Sequence, residues 1–161
     1  GSPMKRRRAL GGLAGLLGGG VVIDRFVLGT SPIVTREFSA FDPGTEFYDA
    51  APAVTAPPRV TFLPNDRRIR IVGKLFVGSS SCDRAGLERA TYDAAPDTFR
   101  VTVGSETKPG SGHGCTGDES ADAYRVSVTF DERLPETVAV EEAGDVSNRA
   151  TTVKNPNAVE S

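Results

Sequence analysis

Apolar and polar residues alternate most clearly over 68–77, where Ile69, Ile71, Gly73, Leu75 and Val77 share one face and Arg68, Arg70, Val72, Lys74 and Phe76 the other. A period of two is that of a half-buried strand. The run 123–130 sets Tyr124, Val126, Val128 and Phe130 on one side, and 98–103 does the same with Phe99, Val101 and Val103. Shorter apolar runs at 59–63 and 137–141 predict two more strands, and 30–41 reads as either a first strand or a spacer. Pro64, Asn65 and Asp66 are turn residues, so 59–63 and 68–77 should form a hairpin. Segment 83–92 stays open: Asp83 caps a helix well and Leu87 and Ala90 are helically spaced, but Thr91 and Tyr92 favour a strand. Five to six strands joined by turns, with no strong helix, predict an all-β fold, an antiparallel β-sandwich or open barrel.

The stretches between these runs carry their own signals. Four prolines in 42–58 argue against a regular helix or central strand, so this is an extended connector that Phe47 and Tyr48 can anchor across the sheet. The segment 104–122 is glycine-rich and long for a loop in a compact domain, which marks it as functional or mobile. Beyond Glu142 there is no apolar periodicity, and a disordered tail over 143–161 is expected.

The N-terminus reads as an address. Gly1, Ser2 and Pro3 precede Met4 as an expression remnant (1–3) and are set aside. Lys5, Arg6, Arg7 and Arg8 lead into an uncharged run, 9–23, half of it glycine and alanine. A basic stretch before an apolar one is the plan of an export signal, and adjacent arginines admit the twin-arginine type. The run is shorter than the roughly 20 residues of a membrane span. With no Ala-x-Ala site and no cysteine after it, an uncleaved anchor extended by 26–28 is the alternative. The expected division is a signal or anchor over 4–29, a connector with a first strand over 30–58, a β-domain over 59–142 and the tail. Positive charge stays on the cytoplasmic side, so the body should be secreted or held at the membrane facing outward.

Composition and charge narrow the partners. The 161 residues suit one domain, with a core of Val, Ile, Leu and eight Phe in the absence of Trp. The net charge of −2 hides an asymmetry: five of the 19 basic residues and one of the 21 acidic ones lie in 4–25. That leaves 14 against 20 from Thr30 onward, a body of net −6. Such a body lacks the basic excess of a nucleic-acid binder and should stay soluble as a monomer. Arg68 and Arg70 read as a solvated sheet face, with a surface for an anionic partner as the sharper alternative.

Candidate chemistry centres on two cysteines. In an exported chain the simplest reading is a disulfide between Cys82 and Cys115, closing about 34 residues for roughly 4 kcal/mol of chain-entropy stabilisation. The same bond pins the glycine-rich loop, where His113, Asp118, Glu119 and Asp122 form the candidate contact surface. A metal site is the alternative, with Cys82, His113, Cys115 and one of the three acids as four ligands for zinc. Against it stand the lone histidine, the missing CxxC pair and the oxidising compartment. A cysteine nucleophile activated by His113 is disfavoured by a flexible loop, and Ser79, Ser80 and Ser81 read as a polar strand end. Glycines 110, 112 and 114 lack the Lys-Ser/Thr of a phosphate loop, and Asp118, Glu119 and Asp122 lack EF-hand spacing. Neither a cofactor nor a catalytic residue is indicated.

The runs 77–82, 90–93, 99–103, 115–116, 124–130 and 134–138 resemble a group of uncharacterised exported proteins of halophilic archaea. The resemblance covers about 59–142 and implies a signal-bearing or lipid-anchored two-cysteine β-domain, with no activity attached. This chain departs from it in having no lipidation cysteine and in its only moderately acidic body. The expectation is a non-enzymatic surface module for an extracellular ligand or protein. The rivals are a metal- or thiol-dependent protein and a structural component of an envelope assembly.

Overall fold

A computed structural model describes residues 21–24, 31–111 and 114–157. Among the described residues nine strands build two packed sheets. In chain order they are β1 (Val21–Asp24), β2 (Ile33–Phe41), β3 (Arg59–Leu63), β4 (Arg68–Gly78), β5 (Asp83–Asp93), β6 (Thr98–Thr107), β7 (Ser120–Phe130), β8 (Thr137–Ala143) and β9 (Asn148–Lys154). The first sheet runs β1-β2-β7-β4-β3 and the second β5-β6-β8-β9. This is the β-sandwich alternative, not a barrel.

The apolar alternation places the core. Ile69, Ile71, Leu75 and Val77 of β4 and Tyr124, Val126, Val128 and Phe130 of β7 face Phe99, Val101, Val103, Val138 and Val140 of the second sheet, and all are buried. The Phe99 and Phe130 rings meet edge to face at 5.3 Å between centroids, a geometry worth about 1 kcal/mol beyond the area it buries. The turn at 64–66 is a single 3-10 turn, and β3 and β4 pair in the expected hairpin.

One open segment is settled and three expectations are corrected. Segment 83–93 is strand throughout, and Leu87 and Ala90 are three apart because a β-bulge between Leu87 and Arg89 inserts one residue. One extra residue turns a spacing of two into three and imitates a helix. The tail is not wholly disordered, since β9 pairs with β8 from Ala143↔Asn148 to Thr137↔Lys154. As an edge strand it alternates between exposed and half-buried residues, so no apolar period announces it. The connector holds a short helix, α1 (Glu46–Ala50), between its prolines, capped by Thr45 through the bond Tyr48 N donates to its Oγ1. Its anchoring role stands: Phe47 and Tyr48 pack with Phe41, Val72 and Ala123 on the outer face of the first sheet. Lastly, the sheet pairing is not purely antiparallel, because β6 and β8 are parallel. The chain crosses to β7 in the other sheet between them, and that crossing supplies the long connection a parallel pair requires.

The sandwich thus takes in more than 59–142, reaching from β2 to β9. Residues 4–20 and 25–29 of the expected signal lie outside the described residues, while Val21–Asp24, within that segment, forms the edge strand β1 against β2. Among the described residues no helix is long and apolar enough to cross a membrane.

Among the polar contacts that join the two sheets, one lies deep in the core. The Tyr124 hydroxyl donates to Glu142 Oε2 at 2.5 Å, and Glu142 is 3% exposed. Gly73 of β4 makes room for it: a Cβ there would lie 2.5 Å from Glu142 Oε2 and 2.6 Å from the Tyr124 oxygen, both deep in the core. Gly73→Ala should therefore cost about 2–3 kcal/mol by overpacking, whereas Gly117→Ala, with nothing within 4 Å, should shift stability by less than about 0.5 kcal/mol. Urea unfolding of the two variants checks this.

Candidate functional site

Both passages between the sheets that flank the cysteines meet at one end of the sandwich. The corner 79–82 carries the chain from β4 to β5, and the loop 108–119 carries it from β6 to β7. The corner begins at Gly78, whose φ of +107° lies in the region that favours glycine. Ser79 N then donates to Asp83 Oδ2 at 2.8 Å and Asp83 N to Ser79 O at 2.9 Å, which closes the turn. Cys82 stands at its end and is joined to Cys115 by the expected disulfide, with the two Cα atoms 5.6 Å apart.

Polar contacts reinforce that bond. Lys108 N donates to Cys82 O at 2.6 Å and Lys108 Nζ to Ser80 O at 2.8 Å. Thr116 N donates to Ser81 Oγ at 3.0 Å, and the Thr116 hydroxyl lies 2.9 Å from Ser79 Oγ. Asp118 Oδ1 accepts from the Thr116 hydroxyl at 2.5 Å and from Ser80 N at 3.2 Å. These bonds, the one from Thr116 foremost, hold the Asp118 carboxyl down at about 2. The serines are thus more than a polar strand end, because they clasp the incoming loop. Only the run of three hydroxyls hinted at this in the sequence.

The candidate contact residues separate. His113 lies outside the described residues. Asp118 and Glu119 are exposed on the loop, which is shorter than expected because β6 extends to Thr107 and β7 begins at Ser120. Glu119 meets Asp145 of the β8–β9 turn, and local desolvation followed by that neighbouring carboxylate raises its pKa. Asp122 is not a loop residue. It sits in β7, 4% exposed, and its Oδ2 accepts from Ala85 N of the opposite sheet at 3.0 Å. That is a structural post, though the carboxyl also borders a cleft of about 280 Å³ lined by Phe41, Asp42, Thr45, Arg84 and Lys108.

With both sulfurs in a covalent bond, neither cysteine is a thiolate ligand or nucleophile in this form. Among the described residues no three His, Cys, Asp or Glu side chains are grouped to hold a metal ion. Fold and disulfide together define a sulfur-tied β-sandwich. Comparison with protein-family models, with curated proteins and with solved structures finds no match.

Two outcomes follow from this geometry. Replacing both cysteines by alanine should lower the unfolding free energy by about 2–4 kcal/mol and expose 108–119 to proteases, read by urea titration and peptide mapping. The second concerns pH. Burial foremost raises the carboxyl pKa values of both Asp122 and Glu142 above their ordinary 3.8 and 4.5. The folded protein then binds more protons than the unfolded chain between the ordinary and the raised values, so these groups make stability rise as pH falls through that window and level off below it. Asp122→Asn with Glu142→Gln should flatten the pH dependence between neutrality and about pH 4.5, as urea midpoints at several pH values will show.

Proposed function

We propose that this chain is an exported, non-enzymatic β-sandwich acting outside the cytoplasm as a binding or interaction module. The Cys82–Cys115 disulfide carries the reading, because such bonds form and persist in oxidising compartments. The basic stretch and apolar run of 5–23 support the same compartment. A binding role is supported by how the loop spends its polar groups. Asp118, Thr116 and the three serines bond one another, and Asp122 props the opposite sheet. None is left poised as an acid, base or nucleophile. The stretch before Val21 holds the body at the membrane or is removed on export.

Fractionation of the producing cells, with intact mass and thiol titration of the unreduced protein, tests the proposal. The expected result is protein outside the cytoplasm with no titratable thiol. Two free thiols in a cytoplasmic pool would overturn it.

A further inference from the structure

Five cations share the outer face of the first sheet: Arg59 on β3, Arg68, Arg70 and Lys74 on β4, and Arg125 on β7. The register puts them on one surface, with Arg59 opposite Val72, Arg70 between Thr61 and Ser127, Val72 beside Arg125, and Lys74 beside Ala123. Glu37, across Ser127 on β2, is the carboxylate of these strands that faces the same way, with Glu46 and Asp49 of α1 at the rim. None of the five cations is in an ion pair among the described residues, whereas Arg84, Arg100 and Arg149 of the second sheet each hold a carboxylate. Arg70 Nε is buried without any hydrogen-bond partner, so a guanidinium donor on this face is unsatisfied. In a body of net −6, this concentration of unpaired positive charge points to an anionic partner.

Two observations choose which. The strand β1 pairs along the edge of this same sheet, with Val21 opposite Ser39. The chain before Val21 is the apolar run that begins at Ala9, so it joins the body beside the basic face. The aromatic residues at that end are set among cations: Lys74 Nζ lies 3.9 Å from the centre of the Tyr48 ring, and the Arg125 guanidinium lies over Phe41 and Phe47 at 5.6 and 5.5 Å. Aromatic rings with Lys and Arg are the composition of a membrane–water boundary, and stable attachment takes an apolar segment together with a basic patch.

We propose that the outer face of the first sheet lies against an anionic phospholipid surface, with Arg59, Arg68, Arg70, Lys74 and Arg125 meeting headgroup phosphates. This rests on the reading that the apolar run before Val21 attaches the chain to a membrane, and it adds a second, electrostatic contact. The test is co-sedimentation of the full chain with vesicles of phosphatidylcholine alone or with one third phosphatidylglycerol. Wild type should prefer the anionic vesicles, and R59Q/R68Q/R70Q should lose about 100-fold of that preference. High salt should abolish the preference, and a control, R89Q/R100Q/K154Q, should retain it. Thermal unfolding should show the face variant folded, since Arg70 Nε gives up no bond. Preference without any binding to neutral vesicles removes the anchor but supports the face. An equal affinity of wild type for both vesicles, a face variant that keeps the preference, or tight binding only to a soluble acidic polysaccharide would overturn the proposal.

Discussion

Deep between the two sheets, among apolar side chains, the Tyr124 hydroxyl and the Glu142 carboxylate form a hydrogen bond. Much of the architecture is arranged to permit it. A carboxylate is costly to bury unless paired, and here Tyr124 donates to one oxygen while Arg149 approaches the other at 3.6 Å. Gly73 leaves the space, and the Phe38 ring lies nearly parallel to Tyr124 at 6.3 Å. Arg149 passes the constraint outward, donating to the Thr55 and Ala56 carbonyls. One line of contacts therefore runs from β7 through β8 and β9 to the proline-rich connector. It explains why a polar edge strand and an irregular segment keep fixed places on the body. Removing the tyrosine hydroxyl would leave a buried carboxylate short of a donor, the more expensive half of any hydrogen-bond deletion.

The fold was legible wherever one face of a strand is wholly apolar. Residues 68–77, 98–103 and 123–130 alternate without interruption, and they became β4, β6 and β7, the strands that carry most of the core. Legibility failed where something other than apolar burial sets the structure. The bulge at Glu88 shifts the phase of β5, so its inward residues read Ala85, Leu87, then Ala90 and Tyr92. In β9, backbone pairing and the Arg149 contacts replace a hydrophobic face. Glu142 looked like the end of the domain because a charge at an inward position cannot be told from a solvated one without the tyrosine opposite. The short α1 escaped notice because prolines bracket it without entering it.

At the disulfide end, two cysteines were enough to infer the bond, since a single pair in a chain read as exported is most simply joined. The surrounding clasp was not, because it depends on which hydroxyls the bond brings together. Once Cys82 and Cys115 are joined, Thr116 falls within reach of Ser79, Ser80 and Ser81, and Asp118 within reach of the Ser80 amide. Each of these exposed hydrogen bonds is worth little alone. Together they give the loop a defined path where glycine-rich backbone would otherwise wander, and this is the preorganisation that makes a loop useful for recognition. Asp122 illustrates the opposite error: adjacency in sequence to Asp118 and Glu119 suggested a shared acidic surface, but strand alternation turns it inward to the Ala85 amide.

The two outer faces of the sandwich differ in how they treat charge, and the difference lies in cross-strand neighbours. On the second sheet, Arg84 stands opposite Glu106 and Arg100 reaches Asp93, so cations are neutralised in place. On the first, the residues beside Arg68 and Arg70 are Thr129, Ser127, Thr61 and Leu63, none of them acidic. Arginines two apart on one strand repel, and no acid stands directly beside them across the ladder. Net charge does not decide what such a face attracts. Packed sheets lie roughly 10 Å apart and outward side chains add to the distance, so exposed acids such as Glu88 and Glu141 on the far side are remote from the arginines. At contact, an anionic surface therefore meets five cations close at hand, with Glu37, Glu46 and Asp49 as the acids of that face, while the other acids lie farther off. An acidic body and a basic face are compatible in one small sandwich for that reason.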